Sequence, residues 1–143
     1  MLVRDLLKNI SDDFVTVSPD VDIQRAAAMM IEQTVSALVV QMKNGQLAGI
    51  LTERDVARHF ATANGETTAP VSAAMTGDVI TCSTEHPVSE IAAIMSDSNI
   101  RHLPVLRDGK VIGIIGIHDI VRYHLSALES ENRALRELVA ALD

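Results

Sequence analysis

The protein has 143 residues, 48% of them hydrophobic but only three aromatic (Phe14, Phe60 and Tyr123), with a net charge of −7 and one cysteine. A chain of this length can bury roughly two-thirds of its unfolded surface, so a single core of Val, Ile, Leu, Ala and Met suffices without disulfides. The acidic balance, with no basic cluster, argues against nucleic acid as a direct partner.

The N-terminal MLVRDLLKNISDD lacks the basic-then-apolar order of a signal peptide, and Cys82 has no intrachain partner, so a reducing cytoplasm is the expected compartment. The longest apolar runs, such as VIGIIGI at 111–117, have strand length and fall short of the ~20 residues that cross a bilayer, so no membrane insertion is expected.

In chain order, a short β-favouring stretch at Phe14 to Val17 ends in a Ser/Pro turn. Ile23, Ala26, Ala27, Met30 and Ile31 then recur at helical spacing. Two apolar strands follow, ALVVQM and LAGILT, joined through KNGQ, and a second helix begins at Glu53. The segment 61–70, ATANGETTAP, reads as a linker. The same order then returns: Val79 to Cys82, a helix carrying Val88, Ile91, Ala92 and Met95, the strands HLPVLR and KVIGIIG around Asp-Gly, and a helix from Ile117. Asn-Gly and Asp-Gly both favour the positive φ angles of hairpin turns.

The two copies align at an offset of 65 residues, TVSPDVDIQRAAAMM on TCSTEHPVSEIAAIM. With Lys43 as a one-residue insertion, NGQLAGILTERDVAR falls on DGKVIGIIGIHDIVR. Each copy reads β-α-β-β-α. One copy of about 60 residues would form a marginal core, so two copies packed through their apolar sheet faces, with two-fold pseudo-symmetry, are the expected unit. The fold class is therefore α/β (α+β), with repeat one over 1–66, repeat two over 67–127 and an amphipathic helix over 128–143. Beyond Asp119 the chain has no Gly or Pro, and there Leu125, Leu128, Leu135, Leu138, Val139 and Leu142 form a stripe longer than one small domain usually covers, with a homodimer as its simplest use.

The turns GILTERD (49–55) and GIIGIHD (113–119) carry the chemistry. A helix N-terminus favours an anion such as phosphate, Thr52 could add a hydroxyl, and Asp55 and Asp119 could accept from the vicinal hydroxyls of a ribose. The competing reading is a capping box over Thr52 to Asp55 that needs no ligand. Gly116 cannot cap with a side chain while Asp119 is retained, which tilts the comparison of the copies toward a ligand.

Paired units of this layout, each ending in G-h-h-[ST]-x-x-D, resemble the cystathionine-β-synthase (CBS) domain pair, or Bateman module, over roughly residues 3 to 125. The resemblance implies a regulatory module, not an enzyme, that binds AMP, ADP or ATP, or alternatively S-adenosylmethionine or NADH, in two clefts between the repeats. It implies a first cleft of Val15, Val35, Ser36 and Ala37 with Gly116, His118 and Asp119. It implies a second of Ile80, Arg101 and His102 with Thr52, Arg54 and Asp55. Asp55 and Asp119 would hold ribose, and Arg54, Arg101, His102 and His118 would face phosphate. Gly116 departs from the family's Ser or Thr, so the second cleft ranks higher for a phosphorylated ligand. Flat, disk-shaped homodimers are also implied.

No catalytic or metal-binding residue is assigned and no obligatory cofactor is expected. Cys82 aligns with Val17 and reads as a buried hydrophobe, and the histidines follow no zinc spacing. Arg58 and Arg122 either cover their helices or pair with acidic residues. A structural dimerisation module with empty clefts is the alternative function, and the leucine stripe could instead dock a separate enzyme or transporter.

Overall fold

The computed structural model of the chain describes residues 1–7, 14–62, 64 and 68–142. The expected 66/67 boundary between the repeats, part of the linker and Asp143 lie outside the described residues. In order the elements are α1 (Val3–Leu7), β1 (Thr16–Val17), α2 (Ile23–Gln33), β2 (Ala37–Gln41), β3 (Leu47–Thr52) and α3 (Glu53–Thr62). A 3₁₀ turn at Val71–Ala73 leads to β4 (Cys82–Ser83), α4 (Val88–Ser98), β5 (His102–Arg107), β6 (Lys110–Gly116) and α5 (Ile117–Leu142). Strands β1-β2-β3 form one sheet and β4-β5-β6 the other, each with a parallel and an antiparallel pair.

Each repeat thus has the predicted β-α-β-β-α order, with both helices after the turns starting at Glu53 and Ile117. The two opening strands are shorter than their apolar stretches because pairing with β2 and β5 covers just two residues. The hairpins differ. Asp108 and Gly109 both take positive φ, 53° and 78°, as a two-residue hairpin turn requires, whereas in the first hairpin Gly45 alone does, at 84°. The extra Lys43 lengthens that loop, and Asn44 uses its side chain to accept from Gln46 N–H at 3.0 Å.

Helices α2 and α4 cover one face of their sheets, burying Ala26 and Met30 on Leu38, Val40 and Leu51, and Ile91 and Met95 on Leu103, Val105 and Ile115. Ala37, Val39 and Ile50 point to the other face and are still buried, and so is Pro104 in the second sheet. The strands are therefore apolar on both sides because the two sheets face each other there.

The chain exchanges segments between its repeats. Val3 and Leu6, at the start of the chain, are buried in the core of the second sheet, and Val71, which opens the second half, is buried in the core of the first. The backbone bonds obey the same pseudo-two-fold relation. Val3 N–H donates to His86 O at 2.9 Å, as Val71 N–H does to Val21 O at 2.8 Å; Val88 N–H donates to Met1 O at 3.0 Å, as Ile23 N–H does to Ala69 O at 2.9 Å. Each ~60-residue half is completed by residues from the other, so neither core is whole alone.

Gly49 and Gly113 are the points of closest approach for the exchanged segments. A Cβ on Gly49 would lie 2.5 Å from the Thr76 carbonyl oxygen, whereas one on Gly113 would meet the tip of Leu7 at 3.1 Å. Backbone cannot yield as a side-chain tip can. Gly49→Ala is expected to cost about 2–3 kcal/mol in urea unfolding and Gly113→Ala clearly less; equal costs would refute this account of the exchange.

Candidate functional site

The strand-to-helix turns place the two aspartates. In the first, Thr52 N–H donates to Asp55 Oδ2 at 2.9 Å, the Thr52 hydroxyl to the same oxygen at 3.0 Å, and Asp55 N–H returns a bond to Thr52 Oγ1 at 3.3 Å. This is a complete capping box. In the second, Gly116 N–H donates to Asp119 Oδ2 at 2.8 Å. A missing side chain at residue 116 therefore does not release Asp119, because the bond common to both copies comes from the backbone. This corrects the inference from Gly116: capping accounts for both aspartates, and any ligand must use what capping leaves.

What it leaves is Oδ1. On Asp55 that atom faces Arg58 Nη1 and Thr76 Oγ1, both at 3.4 Å, the long end of hydrogen bonding. On Asp119 it faces Arg122 Nη1 at 4.0 Å. The repeated arginines thus pair with the motif aspartates three residues back along their helices.

A cleft of about 380 Å³ lies over the Asp55 turn, between the repeats. All six residues assigned to the second cleft line it: Thr52, Arg54 and Asp55 from one half, Ile80, Arg101 and His102 from the other. Ser36 and His118, expected in the first cleft, line this one as well. The reason is tertiary: Ser36 Oγ and His102 Nε2 lie 2.9 Å apart, a bond that joins the repeats at the wall of the cleft. Val15, Val35, Ala37, Gly116 and Asp119 lie outside its lining. Val15 and Val35 pack instead beside the first core, and Ala37 is buried.

Sequence reasoning missed Thr76, Asp78 and Val79, which the exchanged segment carries across the Asp55 turn on its way back to β4. It also missed Asn99, which ends α4 in a left-handed conformation at φ 53° and lines the cleft, and the apolar Ile50, Ile100 and Ile117. The Asn99 position was legible as a helix C-cap, since Asn tolerates that conformation; the others carry no local signal.

Three arginines in the lining, Arg54, Arg58 and Arg101, face three carboxylates, Glu53, Asp55 and Asp78, so the cleft is close to neutral. His102 does not add a cation. Burial lowers its pKa below the ordinary 6.5, aided by His118 and Arg101 and opposed by Asp119 and Glu53, and its Nε2 is committed to Ser36. Its expected part as a phosphate partner is thereby replaced by a neutral bridge between repeats. Cys82 is buried among the second core, with its thiol pushed up to about 11 by burial, and has the character of a small hydrophobe. Among the described residues no three His, Cys, Asp or Glu side chains converge as a metal site would need, and no helix is long and apolar enough to cross a membrane.

A family profile for the CBS domain matches residues 3–62 and 71–126. The chain belongs to the CBS domain family. It is 30% identical over 123 residues to the CBS domain-containing protein YhcV of Bacillus subtilis, covering 86% of each chain. Among solved structures it is similar to a CBS-domain containing protein from Agrobacterium tumefaciens, with TM-score 0.83 and 36% identity, covering 87% of this chain and 99% of that one. It is also similar to the CBS domain pair of the protein MJ0100 in complex with 5′-methylthioadenosine and S-adenosyl-L-methionine, with TM-score 0.79 and 32% identity over 89% of this chain and 98% of that one.

The CBS pair spans 64% of the length of another relative, from Acidianus ambivalens, 36% identical over 107 residues and 74% of this chain. It spans 23% of L-aspartate semialdehyde sulfurtransferase of Methanocaldococcus jannaschii, 34% identical over 122 residues and 85% of this chain, so there the CBS part is the minor one.

The depressed pKa of His102 has a stability consequence. The unfolded chain takes up a proton on this histidine before the folded chain does, so the neutral bridge stabilises fully above the ordinary value and is lost as pH falls through and below it. Between roughly pH 7.5 and 5.5 the wild-type unfolding free energy should fall more steeply than that of His102→Gln, measured by urea titration at each pH; parallel declines would remove His102 from the pH response.

Proposed function

We propose that this CBS pair is a regulatory ligand sensor that binds an adenosine-containing ligand in the Asp55 cleft and passes its occupancy to a partner. The observation that carries the reading is convergence. Residues from both halves, distant in sequence, meet on one cavity whose size lies in the range of small-molecule sites. Isoleucines offer apolar walls to a base, Asp55 Oδ1 can exchange its two long contacts for ribose hydroxyls, and Arg54 and Arg101 make no ion pair among the described residues. A ligand that joins the repeats at this point stabilises the arrangement it binds, which is the energetic basis of a signal.

The near-neutral lining favours a ligand of low net charge. AMP, S-adenosylmethionine or a thioether nucleoside suits it better than ATP, whose triphosphate would meet Glu53 and Asp78. The adenosine ligands in the MJ0100 pair support the same class. The Asp119 side is proposed as the weaker second site, with ribose held by the Asp119 oxygen that capping leaves open and without the wall residues Ser36 and His118, which the Asp55 cleft takes. No obligatory cofactor and no catalytic step enter this reading.

Calorimetry and thermal shift with AMP, ADP, ATP, NADH, adenosine, methylthioadenosine and S-adenosylmethionine test it. At least one adenosine ligand should raise Tm, and AMP should do so more than ATP. Arg101→Ala, an exposed position, should weaken AMP by roughly tenfold while leaving adenosine within about threefold. No binding by any of the panel would leave a module with empty clefts and overturn the proposal.

A further inference from the structure

Every residue of α5 from His124 to Leu142 is exposed, so no other element among the described residues buries the second half of this helix. A projecting helix of this length is marginal in water unless its apolar face is covered. Leu125, Leu128, Leu135, Val139 and Leu142 are between 55% and 79% exposed. Their spacing alternates three and four residues with one gap, and the residue in the gap is Asn132. With Leu125, Asn132 and Val139 as a positions of a heptad, Leu128, Leu135 and Leu142 fall on d.

We propose that residues 121–142 form a parallel, in-register two-stranded coiled coil with a second copy of this chain. Three features select that occupant. A lone Asn at a central a position pairs with its own copy across a parallel seam and is the device that specifies two strands and register. Glu131 then occupies g and Arg136 the following e, the pair that faces across a parallel dimer, and neither makes an ion pair within the chain among the described residues. The seam also starts at half-exposed Val121, one residue past buried Ile120, so the coil continues directly from the folded module. Leu138, at g and 59% exposed, widens the apolar contact toward the end of the helix.

The parallel arrangement sets both modules at the same end of the coil. Ile117 and His118 begin this same helix and line the Asp55 cleft, so each cleft connects rigidly to the seam. The coil forms whether or not the clefts bind a ligand.

Sedimentation equilibrium on the full chain should give a dimer, and Leu128→Glu with Leu135→Glu a monomer that still unfolds cooperatively, since both side chains are more than half exposed and outside the two cores. Glu131→Arg should weaken dimerisation by roughly tenfold, and the double swap with Arg136→Glu should restore it to within about threefold. The Leu142→Cys variant should form a covalent dimer with oxidised glutathione, while the wild-type chain, with buried Cys82 alone, should not. A monomeric wild type, a dimer that survives the paired glutamates, a higher oligomer, or a failure of Leu142→Cys to cross-link would each overturn the proposal; the last would point to an antiparallel pair.

Discussion

The reciprocal exchange of the segments at 1–7 and 70–76 is the constraint on which the rest of the molecule depends. Each small sheet has one helical face of modest size, and its core closes when a hydrophobic residue from the other half enters: Val3 and Leu6 in one, Val71 in the other. Burying such side chains contributes about 1.5–3 kcal/mol each, which is large against the stability of a 60-residue unit. The exchange also builds the site. After crossing the first sheet at Gly49, the chain must return to β4, and on the way it lays Thr76, Asp78, Val79 and Ile80 over the Asp55 turn. The corresponding stretch before Val15 on the Asp119 side includes residues 8–13, outside the described residues.

Economy of another kind is visible in the two turns. One carboxylate oxygen closes the strand-to-helix connection through a backbone N–H, at 2.9 Å in one copy and 2.8 Å in the other. Its second oxygen faces an arginine three residues on along the same helix in both copies. An aspartate can thus be required by the fold and still be offered to a ligand, so the structural and ligand readings of Asp55 are compatible. The two copies differ in how firmly that second oxygen is held: two weak donors on Asp55, a distant arginine on Asp119.

Helix α5 joins three parts of the molecule. Its first turn contributes Asp119 to the capping bond and His118 to the cleft wall, its next turns place Ile120 and Tyr123 against the second core, and its remainder carries an uncovered heptad seam. The exposed seam and the cleft are therefore ends of one continuous element, 26 residues long, without Gly or Pro to interrupt it. Any tilt of the helix within its module would be felt at both.

The sequence by itself determined the elements and their pairing of like with like. Apolar periodicity located α2, α4 and the four longer strands, and the repeat offset matched Asp55 to Asp119 and Gly49 to Gly113, because helix and strand patterns are local and survive duplication. It also brought together the six residues of the Asp55 cleft, by resemblance to a family whose profile the chain matches. Tertiary structure alone decided which core each segment completes, since Val3 and Val71 carry no mark of the sheet they will join. It alone decided that the pKa of His102 is lowered and that the ring bonds to Ser36, because desolvation arises from what packs around a side chain. The charge balance of the cleft was likewise hidden: Asp78 comes from the crossing segment, and its place opposite the arginines exists only once the exchange has been made.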